Sequence, residues 1–338
     1  MKTRYKVLIG VFGGLFIVFS LISCCVVGIA YCETDKNYFD GEVNPYIATD
    51  SVMVSAHRAG SNIAPENTLY AFKLGIHEAT TGGYKVDIWE FDLHITKDNE
   101  LVLLHDHTLD RTSNSVEVFG VENARPEDYT LEELRTLNMG YNFELNGEYP
   151  YRDYTPEQVS EAGLTICTLR EVLEYMESEE AREAAPDGRY SYIIEIKNSG
   201  KLGETAADLL YATLDDMDLL PYVVFGTFNQ NVSDYVDENY PALLRSSSIC
   251  EVLDFWLAYL TDADLSKRGV GYCALQIPYS KSVSFLGTKE LIDYAHKYNI
   301  AVQYWTINER EDMEHLKSIG ADCVMSDWPD LCYEVLKG

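Results

Sequence analysis

Eight times along this chain a short β-branched or aromatic run is followed by a longer stretch whose apolar residues recur at helical spacing. The strand-like runs are VMVSA at 52, VDIWEFDLH at 86, YSYIIEI at 190, YVVFGTF at 222, ALLRSS at 242, YCALQI at 272, IAVQYW at 300 and DCVMS at 322. The helical stretches are 67–80, 168–181, 203–217, 229–238, 251–262, 287–298, 309–319 and 329–337. Strict β/α alternation implies right-handed crossovers and parallel strands, and eight such units predict an α/β fold closed as a (β/α)8 barrel. A doubly wound open sheet is the alternative. At 338 residues the chain has ample length for such a core.

The alternation is interrupted between 94 and 167. ELVLLHDHTL offers a short extra strand and TLEELRTLNMG a short helix, whereas 116–166 is rich in turns and tyrosine without a clear period. No linker sets this stretch apart, so it reads as an insertion after the second strand, overhanging the strand ends where a barrel carries its chemistry.

Before the first strand, Lys2, Arg4 and Lys6 precede an uncharged, mainly apolar run from Val7 to Cys32, long enough to span a bilayer. The basic flank before it and Glu33 and Asp35 after it favour a cytoplasmic N-terminus. Residues 1–32 are therefore expected to be a single-pass transmembrane signal anchor, with the catalytic domain outside the cytoplasm. A lipoprotein signal ending at Cys24 and a cleaved signal are the alternatives. Residues 33–50 read as a polar linker and 51–338 as the folded domain. Five cysteines beyond the anchor, Cys167, Cys250, Cys273, Cys323 and Cys332, are scattered singly, which argues against a zinc or redox motif and for isolated thiols.

Chemistry concentrates at predicted strand ends. Glu90 and Asp92 lie two apart on the second strand and so share one face, as do Glu195 and Lys197 on the next. Two carboxylates in an apolar strand repel each other unless a cation or a shared proton relieves them, and Glu195 could complete an all-oxygen site for a hard ion such as Ca²⁺ or Mg²⁺. A solvated edge pair is the plainer reading of Glu90 and Asp92. Lys197 either pairs with Glu195 or holds an oxyanion. His57 and Arg58 end the first strand, and His105 follows the run ELVLL; each histidine is a structural residue or one half of an acid/base pair. His77, His296 and His315 read as surface residues of amphipathic helices. The net charge of −29, from 55 acidic and 26 basic residues, excludes nucleic acid as a charge-held partner. An anionic substrate would then need local cations.

HRAGSNIAPENTLYAF, DIWEFDLHITKDNELVLLHDHTLDRTSN, IIEIK, YWTIN and GADCVMSDWPD, in this order, resemble the glycerophosphodiester phosphodiesterase family over about residues 51–337. The resemblance implies a TIM barrel that hydrolyses glycerophosphodiesters to sn-glycerol 3-phosphate and an alcohol. By position it implies Glu90, Asp92 and Glu195 as ligands of a divalent cation, Ca²⁺ or Mg²⁺. It implies His57 and His105 as general acid and base, Arg58 and Lys197 as phosphate-facing cations, and Trp305 as a pocket wall. Glu66 of PENT would orient the His57–Arg58 loop, with Asn308 and Asp327 supporting the mouth. One departure is the order Ala59-Gly60, where the family commonly reads Gly-Ala. Implied partners are the small diester and, through the N-terminal helix, the membrane; the oligomeric state is not legible. The rivals are another phosphodiesterase on the same barrel, such as a phospholipase D-like enzyme, and a non-catalytic ligand-binding barrel.

Overall fold

The computed structural model describes residue 39, residues 41–267 and residues 269–338. The expected membrane anchor, 1–32, lies outside the described residues, and among these no helix is long and apolar enough to cross a membrane.

The strands are β1 (Met53–Ala56), β2 (Ile88–Ile95), β3 (Leu101–Leu103), β4 (Ser191–Ile196), β5 (Val223–Gly226), β6 (Ala274–Pro278), β7 (Ala301–Trp305) and β8 (Cys323–Ser326). Seven run parallel in the order β5-β4-β2-β1-β8-β7-β6, and β3 pairs antiparallel with β2. The remaining stave is the stretch ALLRSS. There Arg245 bridges Phe225 and Ser246 bridges Ala274, both parallel, which leaves a nearly closed barrel and rules out the open sheet. That stave is minimal because its backbone bonds alternate between neighbours: Ser246 N–H donates to Phe225 O at 2.9 Å and Ser247 N–H to Ala274 O at 2.8 Å.

Helices complete the units: α1 (Leu69–Thr81), α2 (Ser115–Phe119), α3 (Leu131–Leu134), α4 (Pro156–Ala162), α5 (Leu169–Met176), α6 (Glu179–Ala184), α7 (Gly200–Asp216), α8 (Gln230–Asn239), α9 (Ile249–Leu260), α10 (Lys289–His296), α11 (Arg310–Ile319) and α12 (Pro329–Lys337). The single helix expected over 168–181 is instead α5 and α6. Ser178 starts a second helix by accepting the Ala181 N–H.

Strand parity sorts the side chains into two layers. Trp89, Phe91, Tyr192, Ile194 and Phe225 face outward and pack with Phe72, Ile76, Ala207 and Leu210 of the helices. Gly75 permits this contact, since a Cβ there would lie 2.3 Å from the Trp89 ring. Ile88, Ile193, Val224, Ala274, Ala301, Cys323 and Met325 face inward and fill the barrel.

The floor of that inner core is closed by a segment expected to be linker. Tyr46 is 2% exposed and packs within the inner cluster, and Asn44 is wholly buried. Asn44 Nδ2 donates to Cys273 O at 2.7 Å, and the Ala48 N–H donates to Asp322 Oδ1 at 2.9 Å. The linker reading of 33–50 is therefore corrected for 41–50, which belongs to the folded domain. The insertion has its own small core, with Leu104, Leu109, Leu134, Leu137 and Ile166 packed together. Cys167, Cys273, Cys323 and Cys332 are buried free thiols, and Cys250 is half-buried.

Candidate active site

The inward parity that places Ile88 in the core carries on to Glu90 and Asp92, further along β2 toward the mouth of the barrel. Asp92 sits directly beside Glu195 in the parallel β2–β4 register. One carboxylate oxygen from each of Glu90, Asp92 and Glu195 lies within 4.8 Å of the others. Glu90 and Asp92 are buried and Glu195 nearly so. Lys197 Nζ stands 2.9 Å from both Asp92 and Glu195, and Asn67 Nδ2 donates to Asp92 Oδ2 at 3.0 Å.

Beyond β1 the chain turns through His57, Arg58, Ala59 and Gly60, and the last three have φ of 51°, 62° and 95°. At the point where the sequence departs from the family pattern, an alanine thus holds a left-handed conformation that favours glycine. This turn aims the Arg58 N–H at Glu90 Oε2, 2.7 Å away. The Arg58 guanidinium reaches Glu66 at 3.3 Å and lies 3.8 Å from Asp92.

The two histidines are held alike. His57 Nδ1 is 2.6 Å from Asp327 Oδ1, and His105 Nδ1 is 2.7 Å from Asp106 Oδ1. A carboxylate only accepts, so Nδ1 carries the proton in each pair and each Nε2 is the free edge. Asp327 is itself fixed by Ser61 at 2.6 Å and Asn308 at 2.7 Å. Asp106 is clamped by Arg111, which also grips Glu66 through both of its end nitrogens, at 2.9 and 2.6 Å. Glu66 thereby ties the two histidine loops together through Arg58 and Arg111.

Burial and crowding set the charge states. Burial, and then the charge of Asp92, pushes the Glu90 carboxyl well above the usual range, against the opposing pull of His57, Arg58 and Lys197. Burial works against charge on Asp92, but Lys197, His105 and Arg58 outweigh it and hold the carboxyl low. Burial likewise opposes charge on His57, yet the Asp327 hydrogen bond and the Glu90 charge raise it overall. Asp327, half-buried and so opposed by desolvation, is drawn down to about 2 by His57 and its other donors.

His57, Arg58, Glu90, His105, Glu195 and Lys197 line one cavity of about 350 Å³ at the C-terminal strand ends. Its far wall is apolar: Trp305, as expected, with Phe228, Ile249, Val252, Ile277 and Pro278. Phe228 packs edge-on to Trp305, 5.8 Å between ring centres. A second, more polar cavity of about 460 Å³ adjoins it across His57 and Arg58, and Met139, Asn142, Phe143 and Glu144 of the insertion line it. Asp92 itself lies beneath this surface.

Two histidines read as surface residues are better placed than that. His296 Nε2 lies 2.8 Å from the wholly buried Asp322, and His315 stacks on Tyr279 at 5.3 Å. Sequence reading missed the partners of the histidines, Asp106 and Arg111 among them, and the apolar wall contributed by α9 and Phe228. Asp106 stands beside His105 and Arg111 in the stretch HDHTLDR, which is the one local signal that pointed to them.

In class this is a TIM-type barrel that gathers carboxylates, histidines and basic side chains at the strand ends where such barrels place their chemistry. The family model for the glycerophosphoryl diester phosphodiesterases matches residues 57–331, and the chain belongs to that family as a glycerophosphodiester phosphodiesterase. It is 27% identical over 286 residues to a glycerophosphodiester phosphodiesterase of Caldanaerobacter subterraneus, covering 84% of this chain and 98% of the relative. A Bacillus subtilis glycerophosphodiester phosphodiesterase is 27% identical over 299 residues, 86% of this chain and 89% of its own. Among solved structures, a putative glycerophosphoryl diester phosphodiesterase from Silicibacter pomeroyi shares the fold with a TM-score of 0.64 at 21% identity, covering 86% of this chain and 95% of that one. An Oleispira antarctica phosphodiesterase, solved in complex with the product sn-glycerol-3-phosphate, shares it with a TM-score of 0.58 at 23% identity, covering 84% and 96%.

Proposed function

We propose that this chain hydrolyses glycerophosphodiesters to sn-glycerol 3-phosphate and an alcohol, using a divalent cation, Ca²⁺ or Mg²⁺, held by Glu90, Asp92 and Glu195. The observation that carries the reading is the convergence of those three carboxylates within 4.8 Å at the cavity lined by His57, His105, Arg58 and Lys197. The donor set fits such an ion: it is all oxygen, strand-mounted and crowded enough to raise Glu90. When bound, the ion supplies positive charge beside the phosphoryl oxygens.

The remaining work falls to the chain. Arg58 and Lys197 face the same cavity and oppose charge that develops on phosphorus, offsetting the repulsive field of a protein with net charge −29. With each Nδ1–H given to a carboxylate, His57 and His105 both present Nε2 to the cavity. One, neutral at Nε2, takes the proton of the attacking oxygen, while the other, carrying a second proton at Nε2 as imidazolium, gives that proton to the departing alcohol. Trp305 and Phe228 bound the space for the organic groups. The product named for the Oleispira enzyme supports this substrate class. We extend the proposal to location: the run from Val7 to Cys32 anchors the chain in a membrane with the barrel outside the cytoplasm.

The test is glycerol 3-phosphate release from glycerophosphocholine and glycerophosphoethanolamine by the purified full chain. Chelation by EDTA is expected to stop release and Ca²⁺ or Mg²⁺ to restore it, and His57→Ala to cost roughly 10²- to 10⁴-fold. Release that persists in EDTA would remove the cation from the reading. No release from either diester would remove this substrate class.

A further inference from the structure

Helix α9 differs from its neighbours on the barrel. The solvent faces of α8, α10 and α11 carry Gln230, Asp234, Lys289, Asp293, Glu311 and Glu314, as surface helices ordinarily do. On α9 the corresponding face is Ile249, Leu253, Trp256, Leu257 and Leu260, spaced 4, 3, 1 and 3 residues apart and so in a single stripe. Ile249 is 53% exposed, Leu257 39% and Leu260 56%. Phe285, 52% exposed, extends the stripe sideways, with its ring 5.5 Å from Trp256. The acidic Glu251 lies off the stripe, bonded to the buried Arg245. Contiguous apolar surface of this kind marks a contact site.

Two ends of the stripe say what it contacts. At the upper end, Ile249 is itself part of the catalytic cavity wall, and so is Val252 one turn on. At the lower end, α9 runs into Ala263, whose carbonyl accepts from the hydroxyls of Tyr294 at 2.6 Å and Tyr298 at 3.1 Å. The next residue, Asn299, donates to Glu42 O at 2.8 Å and accepts the Asn44 N–H at 2.8 Å. The segment leading back to the N-terminus therefore leaves the barrel beside the foot of α9. Only six residues, 33–38, lie between Phe39 and the end of the apolar run at Cys32, a reach of at most about 25 Å over seven steps of chain.

We propose that the α9 stripe, with Phe285, lays the barrel on its flank against a zwitterionic lipid bilayer and so brings the mouth of the catalytic cavity to the membrane surface. The inference rests on the reading of residues 7–32 as the membrane anchor. The Glu42–Asn44 segment and the foot of the stripe share one side of the barrel, and the stripe leads from there to the active site. The net charge of −29 makes an electrically neutral lipid surface the favoured one, since the stripe offers apolar contact and no cations.

The experiment uses the full chain reconstituted in phosphatidylcholine liposomes, compared with Leu257→Glu/Leu260→Glu, two positions that do not line the cavity. Amide exchange over 253–260 is expected to be at least tenfold slower in the wild type than in the variant. Choline release from bilayer-held lysophosphatidylcholine, a glycerophosphodiester that keeps one acyl chain and would leave lysophosphatidic acid, should fall about tenfold in the variant, while glycerol 3-phosphate release from dissolved glycerophosphocholine stays within twofold. Equal exchange and equal bilayer turnover in the two proteins would overturn the proposal. If alkaline carbonate strips the wild type from the liposomes, the anchor reading fails. Binding of the released chain to added vesicles then decides: binding lost in the variant upholds the stripe, and no binding overturns it. A doubled mass without lipid, abolished by the variant, would assign the stripe to a second copy of the chain and overturn it as well.

Discussion

The floor and the mouth of this barrel are built on the same strands, with the same parity, and have opposite chemistry. Along β2 the inward positions run Ile88, Glu90, Asp92; along β4, Ile193, Glu195; along β7, Ala301, Gln303, Trp305. Each strand begins in a dry layer sealed by Tyr46; β2 and β4 end in charge, and β7 in the polar Gln303 and the cavity wall Trp305. At the floor the side chains are mainly apolar and meet by packing. At the mouth, three carboxylates crowd one another and draw in every nearby cation. Stability is concentrated below and chemistry above, and the boundary lies about one inward residue from the strand's start.

Substitutions on either side of that boundary should therefore move activity and stability independently. Glu90→Gln should produce the largest effect, a loss of turnover of about 10²-fold or more, because it removes one proposed cation ligand. In EDTA the same variant should melt at a higher temperature than the wild type, since the neutral amide escapes the burial and repulsion that raise Glu90. Calorimetry and an activity assay on one preparation check both. A lower melting temperature would show that the mouth contributes to stability after all. Tyr46→Ala should do the reverse. Emptying the floor should cost roughly 3–5 kcal/mol in denaturant unfolding and leave kcat/KM of the folded enzyme within about twofold.

The same contrast explains what could be read from the sequence. Eight strands were legible because burial on both faces writes β-branched runs, and Glu90, Asp92, Glu195 and Lys197 because strand parity is local. ALLRSS was legible as a strand, yet only Arg245 and Ser246 pair, each with a different neighbour, and which residues pair is not written in the local pattern. Residues 41–50 were misread because Asn44 and Tyr46 sit among turn residues. Their burial comes from Cys273, Asn299 and Asp322, more than 200 residues away, and no local pattern carries that. Asp327 was read as a support for the mouth, but its contact with His57 spans 270 residues and appears only once the barrel closes.

That contact gives the next prediction in size. Asp327→Asn leaves one acceptor oxygen where the carboxylate has two: if it stays with Asn308, the NH2 faces His57 Nδ1 and Ser61, so the free edge at Nε2 is no longer assured. A loss of about 10²-fold in kcat with little change in KM is expected, well short of the ~10⁴ seen where an aspartate alone fixes a catalytic tautomer. A loss confined to KM would make Asp327 a substrate contact instead.

The smallest effect belongs to the floor. His296 meets both oxygens of Asp322, the carboxylate that also holds Ala48 and Val302 by their N–H groups. The hydrogen bond to Asp322 raises the His296 pKa and partial burial opposes it, with the charges of Asp322 and Asp293 adding to the rise and Lys289 subtracting. A histidine whose folded pKa lies above the unfolded value of about 6.5 stabilises fully below that pH. Its contribution fades as pH rises through the folded pKa. The melting temperature should therefore decline modestly as pH rises above about 6.5, and His296→Gln should flatten that slope while leaving activity at the far end of the barrel unchanged. An unchanged slope would place the pH dependence at the mouth, among the groups around Glu90, and leave the floor indifferent to pH.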